Sequence, residues 1–121
     1  MIDLHTHTIY SDGTDTVVEI LQKAEKIGLK CLSITDHSSC GAYEEIDNMD
    51  VSKYYSGKII RGCELFTTID KGVIELLGYN VDTDLLNKVL PQKYKYSFRD
   101  ISKYEMKKSI DICKKLRSYY R

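Results

Sequence analysis

The sequence predicts an α/β fold with about four largely parallel strands and flanking helices. Three observations carry that expectation. Strand-length apolar runs alternate with amphipathic stretches in the order strand, helix, strand, helix, strand, the order of crossover-connected strands in a largely parallel sheet. A helix near the start carries its own start and stop signals. The residues able to bind cations fall just after the strand-like runs, and the C-terminal ends of parallel strands share one edge.

Residues 1–5 read as a short strand with Ile2 and Leu4 on one face. Ser11-Asp12-Gly13 is turn chemistry. Thr16 and Glu19 have capping-box spacing, and Val17, Ile20, Leu21, Ala24 and Ile27 form an apolar stripe ended by Gly28. Cys31 to Ile34 reads as a second, buried strand, and residues 40–49 as a short helix. Lys58 to Phe66 reads as a third strand, and Gly72 to Asn80 as a fourth. Residues 82–91 suggest a short helix, and Pro91 to Phe98 a connector rich in tyrosine and lysine. About residues 100–120 form a last helix, with Met106, Ile110, Cys113, Leu116 and Tyr120 along one side. No repeat or internal boundary divides residues 1–121, which read as one domain segment.

With 42% hydrophobic and 30% charged residues, the chain is globular in composition rather than disordered. No apolar run approaches a membrane span and no secretory leader is visible, so the expectation is a cytoplasmic protein that does not enter a membrane. Cys31, Cys40, Cys63 and Cys113 lack paired spacing and read as reduced thiols, with Cys31 and Cys63 as small core residues. The zero net charge conceals an asymmetry. Residues 1–91 carry 8 Lys/Arg against 15 Asp/Glu, a charge of −7, whereas residues 92–121 carry 10 against 3, a charge of +7. An acidic front suits a cation site. The basic tail suits phosphate, nucleic acid or another acidic surface, or is simply a solvated helix face.

All three histidines lie in the front part. His5 and His7, two apart at the end of the first strand, point to one side and are able to share a cation. Asp12 lies in the turn beyond, His37 follows Asp36 after the second strand, and Glu64 comes near the end of the third. Imidazole mixed with carboxylate suits Zn, Mn or Fe better than Mg or Ca. Glu64 is the best placed carboxylate to bridge two cations, an arrangement that activates water and clamps attacking and leaving oxygens. A lone His-x-His is ordinarily a pair of surface histidines. Asp12, Asp36-His37 and Glu64 at successive strand ends argue against that here.

Asp3-Leu4-His5-Thr6-His7-Thr8 with Ser11-Asp12-Gly13-Thr14 resembles the first motif of the PHP (polymerase and histidinol phosphatase) family. Ser33-Ile34-Thr35-Asp36-His37 resembles the second, Gly62-Cys63-Glu64-Leu65 the third, and Leu76-Leu77-Gly78-Tyr79 the strand that follows. The likeness spans about residues 2–80 and is strongest to the general phosphoesterase branch. It implies the N-terminal half of a distorted β/α barrel and a metal-dependent phosphoesterase, with two or three divalent cations in the complete family site. Its substrate would be a phosphate ester of nucleotide, RNA-end or histidinol phosphate type. His5, His7 and Glu64 would hold one cation, Asp12 and His37 would belong to a second, and Glu64 would bridge. Asp36 would support the fold or orient a neighbour.

Two departures qualify the resemblance. Where the family usually has a histidine before its Leu-Gly-Tyr segment, this chain has Glu75, which reads equally as an altered ligand or a surface carboxylate. No histidine follows His37, so the family's later ligands have no counterpart. Arg61, Lys71, Tyr10 and the basic tail are candidates to hold substrate phosphate. The alternative to an enzyme is a degenerate, catalytically weak segment that binds metal or a protein partner. About four strands do not close a barrel, so the missing half would come from a second copy or from further chain, unless the tail helix covers the sheet.

Overall fold

The computed structural model describes residues 1–69 and 72–90. The last helix expected from the sequence, with Cys113, lies outside those residues, as does Lys71. Among the described residues, five strands and three helices are laid out in chain order: β1 (Ile2–Thr6), α1 (Val17–Lys26), β2 (Cys31–Ile34), α2 (Gly41–Asp47), β3 (Lys58–Ile59), β4 (Gly62–Ile69), β5 (Gly72–Tyr79) and α3 (Thr83–Val89), with one 3-10 turn at Val51–Lys53. β1, β2 and β3 form a parallel sheet in that order.

α1 forms for local reasons. The Thr16 side chain accepts from the Glu19 N–H, and the Glu19 carboxylate reaches back to the Thr16 N–H at 2.8 Å. These bonds satisfy backbone donors that no helical carbonyl serves. Val17, Ile20, Leu21 and Ala24 bury the inner face. The helix ends at Gly28, whose φ of 72° is left-handed and favours a residue without Cβ. The stripe packs with Leu29, Leu32, Ile34, Ala42, Tyr43, Ile46 and Cys63 into the core beneath the sheet. Cys63 and Cys40 are fully buried in that core, while Cys31 is half-buried; all three are free thiols.

The expected third strand is broken in two. β3 follows β2 in register up to Leu32↔Ile59. Beyond it, the Tyr43 hydroxyl occupies the gap between strands, donating to the Ile34 carbonyl at 2.7 Å and accepting from Gly62 N–H at 2.9 Å. Burial holds that phenol above its ordinary pKa, although its hydrogen bonds with Gly62, Ser33 and Ile34 pull the other way. Past this insertion the chain rejoins the line of β2, through Glu64 N–H to Asp36 O at 3.1 Å and Ser38 N–H to Glu64 O at 2.8 Å.

β5 differs from a largely parallel arrangement. It pairs antiparallel with β4, from Gly62↔Tyr79 to Ile69↔Gly72. Only two residues separate these strands, whereas parallel neighbours need a crossover of a dozen residues or more. The hairpin is anchored to the first strand by the Tyr79 hydroxyl, 2.8 Å from the Leu4 carbonyl. α3 is capped by Asp82, which accepts from the Leu85 N–H. Asn87 fastens α3 to the body by pairing with both backbone polar groups of Cys40.

Candidate metal centre

The candidate ligands come from several parts of the fold: His5 and His7 from the end of β1, Asp12 from the loop beyond it, His37 from just past β2 and Glu64 from β4. The pairing of β1 with β2 shifts by one residue between Asp3 and Thr6. Irregularities of this kind re-aim side chains beside active sites, and here the shift falls at the His5-Thr6-His7 segment. Thr35 N–H then bonds the Thr6 carbonyl at 2.7 Å, fixing the point at which His7 leaves the sheet. His37 sits just past β2 in an isolated parallel bridge with Glu64. The following Ser38 has φ 44°, a left-handed turn that leads the chain away from the edge.

The structure brings His5, His7, Asp12, His37 and Glu64 together at the C-terminal edge of the parallel sheet. The Oε2 atom of Glu64 is the hub, at 3.0 Å from His5 Nε2, 3.2 Å from His7 Nε2 and 3.6 Å from His37 Nδ1. Asp12 closes the other side, with its carboxylate oxygens 3.2 Å from His7 Nδ1 and 3.3 Å from His37 Nε2. Three donor groups result, each with its donor atoms within 4.8 Å of one another: His5, His7 and Glu64; His7, Asp12 and His37; His37, Glu64 and Glu75. Adjacent groups share corners, as closely spaced cations would require. The donors are nitrogen and carboxylate oxygen only, a set that fits Zn, Mn or Fe. Glu75 joins through the antiparallel hairpin, which sets it opposite Phe66 and beside Glu64.

Burial by itself would raise the Glu64 carboxyl. Its hydrogen bonds with Glu75 and His5, and the nearby His37, outweigh that and hold it below the usual glutamate range. Burial lowers the His7 imidazole, helped by His37 and opposed by Asp12 and Glu64. A neutral imidazole and an ionised carboxylate are the forms that bind metal.

Asp36 is not part of the donor cluster. It is 1% exposed and accepts from Thr8 N–H, Thr8 Oγ1 and Ser11 Oγ, each at 2.7 Å. It therefore holds the loop that carries Asp12, the supporting role its position suggested. Ser11 continues the contact, lying 3.4 Å from both His7 Nδ1 and Asp12 Oδ1. The roles of Thr8 and Ser11 escaped the sequence reading, although both flank the histidine motif as polar residues.

Two suggested phosphate holders are committed elsewhere. Arg61 pairs with Asp47, donates to Thr83 Oγ1 at 2.7 Å and lies over the Tyr43 ring. Tyr10 donates to Glu45 at 2.9 Å.

An α/β protein with a histidine–carboxylate cluster at the C-terminal edge of its parallel strands is the class defined by this fold and site. The family is settled by comparison: the chain belongs to the PHP domain family, whose model matches residues 3–120. It is 32% identical over 84 residues to the 5′-3′ exoribonuclease Rnm of Escherichia coli, covering 66% of this chain and 27% of that protein. It is also 32% identical over 96 residues to a probable phosphatase of Clostridium acetobutylicum, covering 74% of this chain and 36% of the relative. Among solved structures, an amidohydrolase from Chromobacterium violaceum with bound sulfate and no metal aligns with a TM-score of 0.63 at 25% identity, over 74% of this chain and 31% of that one. The chain thus spans about a third or less of the proteins it resembles. Among the described residues, no helix is long and apolar enough to cross a membrane.

Proposed function

We propose that the chain carries the front part of a metal-dependent phosphoesterase site, hydrolysing phosphate esters of the nucleotide, RNA-end or histidinol phosphate type in the cytoplasm. The observation that carries this reading is the Glu64 carboxylate lying within 3.6 Å of three imidazoles, with Asp12 facing two of them. In this reading His5, His7 and Glu64 hold one divalent cation, and His7, Asp12 and His37 a second. Glu75, with His37 and Glu64, stands in for the histidine more usual in the family. Zn, Mn or Fe is the expected metal. Bound there, the cations would supply Lewis acidity toward water and phosphate.

The chain's own residues do the rest. Glu64, ionised in its buried position, neutralises adjacent positive charge, and His7, kept neutral, binds without first losing a proton. Asp36 keeps the Asp12 loop in place through Thr8 and Ser11. Relatives named as an exoribonuclease and a phosphatase support the same class of chemistry.

The test is a metal analysis of the purified chain combined with a screen of phosphomonoesters, phosphodiesters and short RNA in added Mn²⁺ or Zn²⁺. The expected results are cation binding that His37→Ala and Glu64→Gln each weaken, since each residue belongs to two of the three donor groups, and at most weak turnover by this front part of the site, lost in both variants. A chain that binds no divalent cation refutes the proposal.

A second reading is a metal-binding interaction module. Leu76 at 52% exposure, Leu85 at 55% and Val89 at 64% leave apolar surface on β5 and α3, which a second copy or a longer chain would cover. Cation binding with no turnover, even after such a partner is added, would favour it.

A further inference from the structure

His37 is the middle ring of three. His7 stacks on it with centroids 4.6 Å apart and planes 26° apart, and Phe66 stacks on it at 5.4 Å and 16°. A metal-binding imidazole is ordinarily oriented by a hydrogen bond from its second nitrogen to the scaffold. Among the described residues His37 has no such tether. Its Nε2 faces Asp12 at 3.3 Å and its Nδ1 lies 3.6 Å from Glu64, both candidate ligands themselves. Nδ1 is buried and has no hydrogen-bond partner among the described residues. What remains to fix the ring plane is contact with its faces.

Phe66 is well placed for that task. It follows Glu64 by two residues on β4, so both side chains leave the same face of the strand, and it lies opposite Glu75 in the hairpin register. One rigid element thus presents a stacking ring together with two carboxylates. Phe66 offers no donor atom, so any effect it has on a cation must pass through His37. His5 is outside the row, tilted 55° to His7 and half exposed.

We infer that Phe66 is a positioning residue for His37, its ring fixing the plane in which the imidazole presents its nitrogens to a cation. The inference rests on the reading of His37 as a ligand. It predicts a selective effect: binding to the groups that contain His37 depends on Phe66, and binding to the His5–His7–Glu64 group does not.

The experiment is a Mn²⁺ titration of the full chain, followed by the electron paramagnetic resonance signal of the free ion. Phe66→Leu should weaken, by about tenfold to a hundredfold, the class of binding that His37→Ala eliminates. It should spare the class that His5→Ala weakens, and Phe66→Tyr should restore wild-type behaviour. A Phe66→Leu chain that titrates like the wild type overturns the inference, as does equal weakening of both classes. Nuclear Overhauser contacts between the His37 and Phe66 rings, sought in the wild-type chain with and without Zn²⁺, provide a second measurement should the leucine variant fail to fold. Their absence in both states also overturns it. Wild-type chain that binds no divalent cation, Mn²⁺ or Zn²⁺ included, refutes the phosphoesterase reading, and the ring contacts in the metal-free chain still decide whether Phe66 orients His37.

Discussion

Replacing Asp36 by alanine removes the acceptor of three hydrogen bonds at once, those from Thr8 N–H, Thr8 Oγ1 and Ser11 Oγ, each at 2.7 Å. Ser11 is only partly buried and would turn to water, but Thr8 is fully buried and would not. Each buried donor left without a partner costs about 1–3 kcal/mol, and Thr8 would be left with two, its N–H and its hydroxyl. Relief from burying the carboxylate offsets part of this, so about 3–4 kcal/mol is expected for Asp36→Ala. Asp36→Asn keeps the shape and one acceptor, and should cost about 1–2 kcal/mol. Urea unfolding of the metal-free chain, followed by circular dichroism, measures both, read as midpoint shifts at constant slope. The same loop carries Asp12, so Asp36→Asn should also weaken Mn²⁺ binding, by about tenfold. An alanine variant within about 1 kcal/mol of the wild type would refute the view that Asp36 organises this loop.

His7 is shared by two of the donor groups and His5 belongs to one, so His7→Ala should remove more bound cation per chain than His5→Ala; metal analysis after dialysis showing equal losses would contradict this. A Cβ at Gly13 would stand 2.3 Å from the His7 carbonyl oxygen and 2.7 Å from Thr8 N. Because both are backbone atoms, Gly13→Ala should cost about 1–3 kcal/mol and weaken cation binding, as read by thermal unfolding with and without Mn²⁺. Hydrogen bonds to the backbone and side chain of Thr16 hold the Glu19 carboxyl below its ordinary value. Since the folded-state value is the depressed one, this support is present above the unfolded glutamate range and is lost as pH falls through the folded value. Glu19→Gln should therefore lower the urea midpoint at neutral pH and match the wild type in acid; a gap that persists in acid counts against the capping role.

The sequence by itself determined what depends on neighbours within a few residues. The Thr16–Glu19 box, the apolar stripe of α1 and the stop at Gly28 are all spelled locally, and the structure forms them as read. The cluster of His5, His7, Asp12, His37 and Glu64 was legible because parallel strands bring their C-terminal ends to one edge, although Glu64, expected near the end of a strand, lies third in β4 and reaches that edge through its bridge with His37. Tertiary structure decided the rest. The reversal of β5 had a signal in the short gap after β4, but the pairing that sets Glu75 beside Glu64 depends on the hairpin register. The break between β3 and β4 needed the Tyr43 hydroxyl, delivered from a helix 19 residues before Gly62. Arg61 was open to substrate in the sequence, yet Asp47 and Thr83 meet it only once α2 and α3 have packed. Asp36 and Phe66 act through side chains 25 to 29 residues away in the chain, Thr8 and Ser11 for the one and His37 for the other. Such contacts form only after chain segments with no local reason to meet are brought together by burial of a common core.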